Sequence, residues 1–362
     1  MKITILGLTI TSSWGNGHAT TYRGLVRGLA RRGHDVLFLE CDKPWYADNR
    51  DLPEPPYGQT ALYADLGDLA RRWTPTIRAA DLVIVGSYVP DGIEVARFVQ
   101  REARGLTAFY DIDTPVTLAA LDAGRCEYLT PELLPGFALY LSFTGGPTLR
   151  VLENQLGARA ARSLYCSADP DIYRPDLTVR PCWDLGYLGT YSVDRQPTVD
   201  ALLCGPARAW PAGRFVVAGP QYPAACSWPA NVARVEHLAP DLHRGFYAGQ
   251  RFTLNVTRAD MIRRGYSPSV RLFEAASCGV PIISDWWEGL DAFFRPDEEI
   301  LIAAGPEDVL RALRELSDTR RQSMAARARA RVLDAHTGDH RAAELEGYAA
   351  EATRAARPKV RA

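Results

Sequence analysis

The chain has 362 residues, 47% of them hydrophobic and 23% charged, and its formal net charge is −1. That length can bury two cores, and the near-neutral balance gives no electrostatic case for nucleic acid or an anionic membrane surface as partner. No apolar run approaches the roughly 18 residues of a membrane span, and the seven scattered cysteines contain no CxxC pair. Neither a zinc site nor a disulfide framework is suggested, and a reducing, cytoplasmic setting is expected.

Lys2–Ile10 reads as a first strand, Ser12–His18 as a glycine-rich loop, Thr20–Arg32 as a helix stopped by Gly33, and Asp35–Glu40 as a second strand. A βαβ opening of this kind predicts a parallel sheet. The loop also invites a dinucleotide fingerprint, Gly15-x-Gly17-x-x-Thr20 with Glu40 closing the second strand, but the third glycine is missing and the turn is too long. Between Lys43 and Gln59 a proline-rich segment with Trp45, Tyr46 and Tyr57 reads either as a binding loop or as a surface insertion.

Asp81–Ser87 is a buried-type strand, Gly92–Arg104 a helix, and Thr107–Tyr110 a strand delivering Asp111 and Asp113 at its carboxyl end. Ala138–Ser142 and Ser163–Tyr165 continue the strands, with the helix Pro147–Leu156 between them. Ligand residues of open α/β sheets collect at strand carboxyl ends. Trp14, Asn16, Gly17 and His18, with Tyr88, Asp111 and Asp113, are therefore expected to line one crevice.

Proline and aspartate density in Cys166–Asp176 argues for a boundary near residues 170–182, after which a second α/β series begins. Leu185–Leu188, Phe215–Ala218, Val232–Glu236 and Phe252–Val256 read as its strands. In Gly265–Asp285, Ser267 is the expected N-cap, Pro268 the first helical residue, Gly279 the stop, and Pro281 the start of a short strand. At about 100° per residue, Ser267, Arg271, Glu274 and Cys278 share one line. Helix N–H groups beside Arg271, with Glu274 a turn on, suit a phosphate and ribose hydroxyls. On these residues alone, a solvated ion pair between Arg271 and Glu274 serves equally well. Three alanine- and arginine-rich helices follow, Pro306–Ser317, Thr319–Ala335 and Gly338–Ala356.

Several segments together resemble a known family. They are Tyr110-Asp111-Ile112-Asp113-Thr114-Pro115, Phe143-Thr144-Gly145-Gly146-Pro147 and Leu164-Tyr165-Cys166-Ser167-Ala168-Asp169-Pro170, then Leu188-Gly189-Thr190-Tyr191, Asn255-Val256-Thr257-Arg258 and Ser267 through Glu274. In this order they resemble the GT-B glycosyltransferases, and within them the CgeB-like group often labelled spore maturation proteins. The resemblance implies two Rossmann-like domains facing each other across a cleft, with a C-terminal helix that can cross back to the first. The expected division is 1–175 for the acceptor-binding domain, 176–337 for the nucleotide-sugar-binding domain, and 338–362 for the helix and tail.

The resemblance further implies a hexosyltransferase that takes a nucleotide-sugar, a UDP-sugar by default, as co-substrate and needs no other cofactor. Glu274 matches the ribose-binding position, Ser267 and Pro268 the helix start beneath the diphosphate, and Arg258 or Arg271 its neutralising charge. Gly189, Thr190, Asn255, Tyr266 and Asp285 complete the expected donor site. In the related, retaining E-x7-E group a further glutamate precedes the Glu274 position by eight residues; here that place is Tyr266, so the role of that glutamate does not carry over, and the likeness leaves retention open beside inversion.

Leaving-group stabilisation by Arg258, Arg271 and a helix N-terminus makes a metal unnecessary. Asp111-x-Asp113 looks like a metal-binding DxD, yet it lies in the first domain, and Asp113 also suits the N-cap of the helix begun by Thr114-Pro115. His18 is the expected base, with Asp113 or Asp111 as partner, as in inverting plant-type relatives; a loop-bonding role for His18 is the plainer alternative. A small-molecule or glycan acceptor is expected. Two other functions fit the same fold: a sugar-nucleotide epimerase or hydrolase, and a non-catalytic assembly protein that binds a nucleotide.

Overall fold

The computed structural model describes residues 1–15 and 17–356. They form two compact units, residues 1–166 together with the helix Gly338–Ala356, and Ser167–Thr337.

In the first unit, β1 (Lys2–Gly7), β2 (Asp35–Cys41), β3 (Gln59–Tyr63), β4 (Leu82–Gly86), β5 (Leu106–Asp111), β6 (Leu139–Ser142) and β7 (Ala161–Ser163) make one parallel sheet. Its order is β3-β2-β1-β4-β5-β6-β7. Central strands run apolar throughout, as β4 does with every residue buried, because helices cover both faces of a parallel sheet. The second unit repeats the plan with β8 (Trp183–Leu188), β9 (Phe215–Ala218), β10 (Val232–Val235), β11 (Gln250–Asn255), β12 (Ile282–Ser284) and β13 (Leu301–Ile302). The order there is β10-β9-β8-β11-β12-β13, again parallel.

Both sheets place their loop residues at the carboxyl ends as expected. Two elements lie outside the expected series: β3, whose middle is only half-buried, and the helix Leu66–Ala79, which carries Pro75 inside it. The segment after β2 is tied down rather than free. It holds a short helix, Pro44–Ala47, and Ser12 Oγ donates to the Asn49 carbonyl (2.7 Å) while Ser13 N donates to Asp51 (2.7 Å).

The helix Gly338–Ala356 belongs to the first unit because small residues let it approach closely. A Cβ on Gly28 would stand 2.4 Å from the Gly338 carbonyl oxygen, and one on Gly338 would stand 2.2 Å from that of Gly24. Arg32 and His34 then clasp Glu346, both at 2.6 Å. The hydrogen bond from Arg32, with His34 adding to it, holds the Glu346 carboxyl down to about 2. A depressed carboxylate contributes stability that is complete above its ordinary range near 4.5 and lost as pH falls through about 2. Glu346→Gln is therefore expected to cost about 1 kcal/mol at pH 7 and progressively less below pH 4, read from denaturant melts at both pH values. None of the described helices is long and apolar enough to cross a membrane.

Candidate active site

In the second unit the carboxyl ends of β8, β9, β11 and β12 gather the expected donor-site residues. The helix here runs Val270–Ser277, so it starts later than the sequence suggested: Ser269 is the N-cap, and Ser267 and Pro268 lie buried in the preceding loop. The shift follows from Gly265 (φ 64°) and Tyr266 (φ 47°), two consecutive left-handed residues that turn the chain before it can wind. A tyrosine in that region is costly, and such strain gathers at functional sites. Ser269 Oγ does not cap the helix but donates to Asn255 Oδ1 (2.7 Å).

Every residue from Arg271 to Ser277 is buried, which removes the solvated-pair reading. Arg271 donates through Nε to the Leu188 carbonyl (2.5 Å) and through Nη1 to Asn255 Oδ1 (2.8 Å), and its guanidinium lies 4.8 Å above the Tyr187 ring. Asn255 passes a hydrogen bond on to Ser284 Oγ (2.9 Å). Asp285 accepts from Thr257 N (2.9 Å) and Oγ1 (2.8 Å), and burial pushes its carboxyl upward. Glu274 also lies inside, 4% exposed, with the Tyr247 hydroxyl donating to Oε2 (3.1 Å). Its carboxylate is held in place rather than solvated.

A third arginine joins Arg258 and Arg271. Arg195 donates through Nη2 to the Thr190 carbonyl (2.6 Å), while its buried Nε has no partner. Burial, and then the charges of Arg271 and Arg258, pull its guanidinium below the usual arginine range. Arg258 stands at the N-cap of the helix Ala259–Arg264, with its Nε 3.9 Å from Asp194 Oδ2. The charges of Arg271 and Arg258 thus disfavour that of Arg195, which a bound anion would relieve. The loop between them is tight: a Cβ on Gly189 would sit 2.6 Å from the Tyr187 hydroxyl and 2.9 Å from Arg271 Nη2. The sequence reading missed Arg195, whose one signal was an arginine just before the proline-started helix Gln196–Val199. It also missed Tyr187, which carried none.

In the first unit His18 opens the helix His18–Arg31, with exposed Gly17 at the N-cap. Its ring meets Tyr88 edge-on at 5.3 Å, and burial lowers its imidazole to about 4. Tyr88, left-handed at φ 63°, donates its hydroxyl to Asp113 Oδ2 (3.2 Å). Tyr88 thus touches both members of the expected acid–base pair. Asp113 occupies the N-cap of Thr114–Asp122 but makes no side-chain cap.

Asp111 corrects the expected crevice. It is wholly buried, because Tyr140 (2.6 Å) and Thr117 (2.7 Å) donate to its two oxygens, and burial raises its carboxyl to about 6. Glu40 is likewise used internally, accepting from Ile10 N, Thr11 N and Thr11 Oγ1, which closes the dinucleotide reading. Trp14 is 45% exposed, and Asn16 lies outside the described residues.

A family model described as glycosyl transferase-like matches residues 195–347. Among solved structures, sucrose-phosphate synthase from Thermosynechococcus elongatus aligns at a TM-score of 0.69 and 13% identity, over 98% of this chain and all (100%) of the other. HepE of Anabaena, in complex with UDP and glucose, aligns at 0.70 and 13%, over 97% and 100%. An α-glucosyltransferase in complex with UDP and a 13-mer DNA aligns at 0.69 and 12%, over 97% and 99%. The chain has the GT-B fold, and residues 195–347 carry a glycosyl transferase-like domain. No curated protein matches it in sequence. At these identities the structural likeness establishes the fold alone, so the chemistry has to be argued from the side chains.

Proposed function

We propose that this GT-B protein, within the CgeB-like group, transfers a hexose from a nucleoside diphosphate sugar to a hydroxyl of a small-molecule or glycan acceptor. The observation that carries the proposal is that Arg195 and Arg271 meet at the Gly189–Thr190 turn, with the charge of Arg258 acting on Arg195. Two or more fixed cations suit the developing charge of a leaving diphosphate, and they can do so without a divalent metal. UDP is the proposed nucleotide, supported by the UDP bound to HepE and to the α-glucosyltransferase. Ser267, Pro268, Tyr266, Asn255, Asp285 and Glu274 complete the proposed donor site, Glu274 facing the ribose.

His18 is the proposed base, with Asp113 as its partner, and Trp14, Gly17 and Tyr88 are proposed to contact the acceptor. Inversion at the anomeric carbon would follow, and the anomeric configuration of the product, read by NMR, tests it. Although the α-glucosyltransferase was captured with DNA, a net charge of −1 favours a neutral acceptor here. A cytoplasmic setting, supported by seven cysteines outside any disulfide, and no cofactor beyond the co-substrate are part of the same proposal.

Thermal stabilisation by UDP, GDP, TDP and ADP, followed by donor turnover with and without sugar acceptors, tests the whole. Stabilisation by one nucleoside diphosphate, with turnover that needs an acceptor, is expected. Turnover without any acceptor would favour a hydrolase, and binding without turnover a non-catalytic protein.

A further inference from the structure

We propose that Arg234 and Tyr222 are positioning residues that lock the Gly189–Thr190 turn in the shape that binds the donor diphosphate. The proposal rests on the nucleotide-binding reading above and adds residues that this reading does not use.

Arg234 lies on β10, at the edge of the second sheet. Its two terminal nitrogens donate to backbone carbonyls one strand away, Nη1 to Val217 (2.7 Å) and Nη2 to Gly219 (3.0 Å). Its guanidinium covers two aromatic rings, Tyr222 at 4.1 Å and Trp228 at 4.9 Å. Both rings are packed against the core of the unit. Burial lowers the Arg234 guanidinium below the usual arginine range, and two carbonyls and two rings hold it in place.

From this peg the contacts lead directly to the turn. The Tyr222 hydroxyl donates to the Gly189 carbonyl (3.1 Å), and Tyr191 N donates to the Pro220 carbonyl (3.0 Å). The Tyr191 ring meets Tyr222 edge-on at 5.5 Å. Gly219, at φ 141°, lets the segment press so close that a Cβ there would stand 2.1 Å from the Gly189 carbonyl oxygen. The same turn receives Arg195 on Thr190 and has Arg271 beside Gly189. A turn fixed by Tyr222 and by two arginines has its ordering cost met before the ligand arrives. Arg234 is a fork that bonds two carbonyls and covers two rings at once, which a lysine cannot do.

The test is titration of nucleoside diphosphates, with UDP first, into wild type, Tyr222→Phe, Arg234→Met and Arg234→Lys. Tyr222→Phe removes one hydroxyl and is expected to weaken binding about 5- to 10-fold while leaving the ligand-free melting temperature within about 2 °C of wild type. Arg234→Met is expected to weaken binding at least about tenfold, and Arg234→Lys not to rescue it. Lower ligand-free stability with wild-type affinity would mean that Arg234 and Tyr222 only staple the loop, and would overturn the proposal. Should Arg234→Met fail to fold, Tyr222→Phe decides alone. Wild type that binds no nucleoside diphosphate would remove the underlying function, whereas wild type and Tyr222→Phe binding equally well would remove only the lock.

Discussion

Arg271→Ala is expected to abolish measurable nucleotide binding and to cost roughly 2–5 kcal/mol of folding stability. Two losses combine. The side chain ties the last residue of β8 to the last residue of β11 through the Leu188 carbonyl and Asn255, so its removal takes a donor from the Leu188 carbonyl and leaves Asn255 Oδ1 with Ser269 Oγ alone. It also supplies, with Arg195, one of the two charges at the Gly189–Thr190 turn. Arg271→Lys separates the effects, since an ammonium keeps the charge but cannot reach both acceptors while covering Tyr187. Lysine is expected to recover part of the stability and to leave affinity at least about tenfold weaker. Denaturant melts and UDP titration of both variants provide the check. Arg271→Lys with wild-type affinity would show that charge alone suffices and that the fork geometry is idle.

The same residue shows what the sequence carried and what it could not. Arg271 and Glu274 were legible as a stripe, and GT-B order placed that stripe late in a second α/β unit. Asn255 was already among the expected donor-site residues, but Tyr187 and Tyr247 were not legible, because they come from other elements and meet the helix only when the unit assembles. The start of the helix was misread for a local reason. Ser267-Pro268 is a good start signal, but the left-handed pair Gly265–Tyr266 delays the first turn to Val270. Asp111 failed in the opposite sense: position at a strand end suggested access, whereas Tyr140 and Thr117, on two separate elements, enclose it. Periodicity reports which face is apolar; it does not report which polar group is consumed by a distant neighbour.

His18 is where the proposed chemistry meets its sharpest test. His18→Ala is expected to lower kcat about 10²- to 10⁴-fold with little change in KM for the donor, as removal of a general base does. The pH profile adds a second, independent reading. Burial holds the imidazole at about 4, well below the ordinary histidine value of 6.5. The ring is then neutral, and able to accept a proton, across the whole physiological range. Activity that depends on it is expected to be flat above about pH 5 and to fall as pH drops through about 4. Asp111, held near 6, would instead place the acid limb about two units higher. Tyr88→Phe completes the argument, because it removes the hydroxyl that holds Asp113 but keeps the ring that walls His18. It is expected to reduce kcat about tenfold, less than His18→Ala, and the double variant to lose no more than His18→Ala alone. Full activity in His18→Ala, or an acid limb near 6 that survives it, would transfer the role of base to another group.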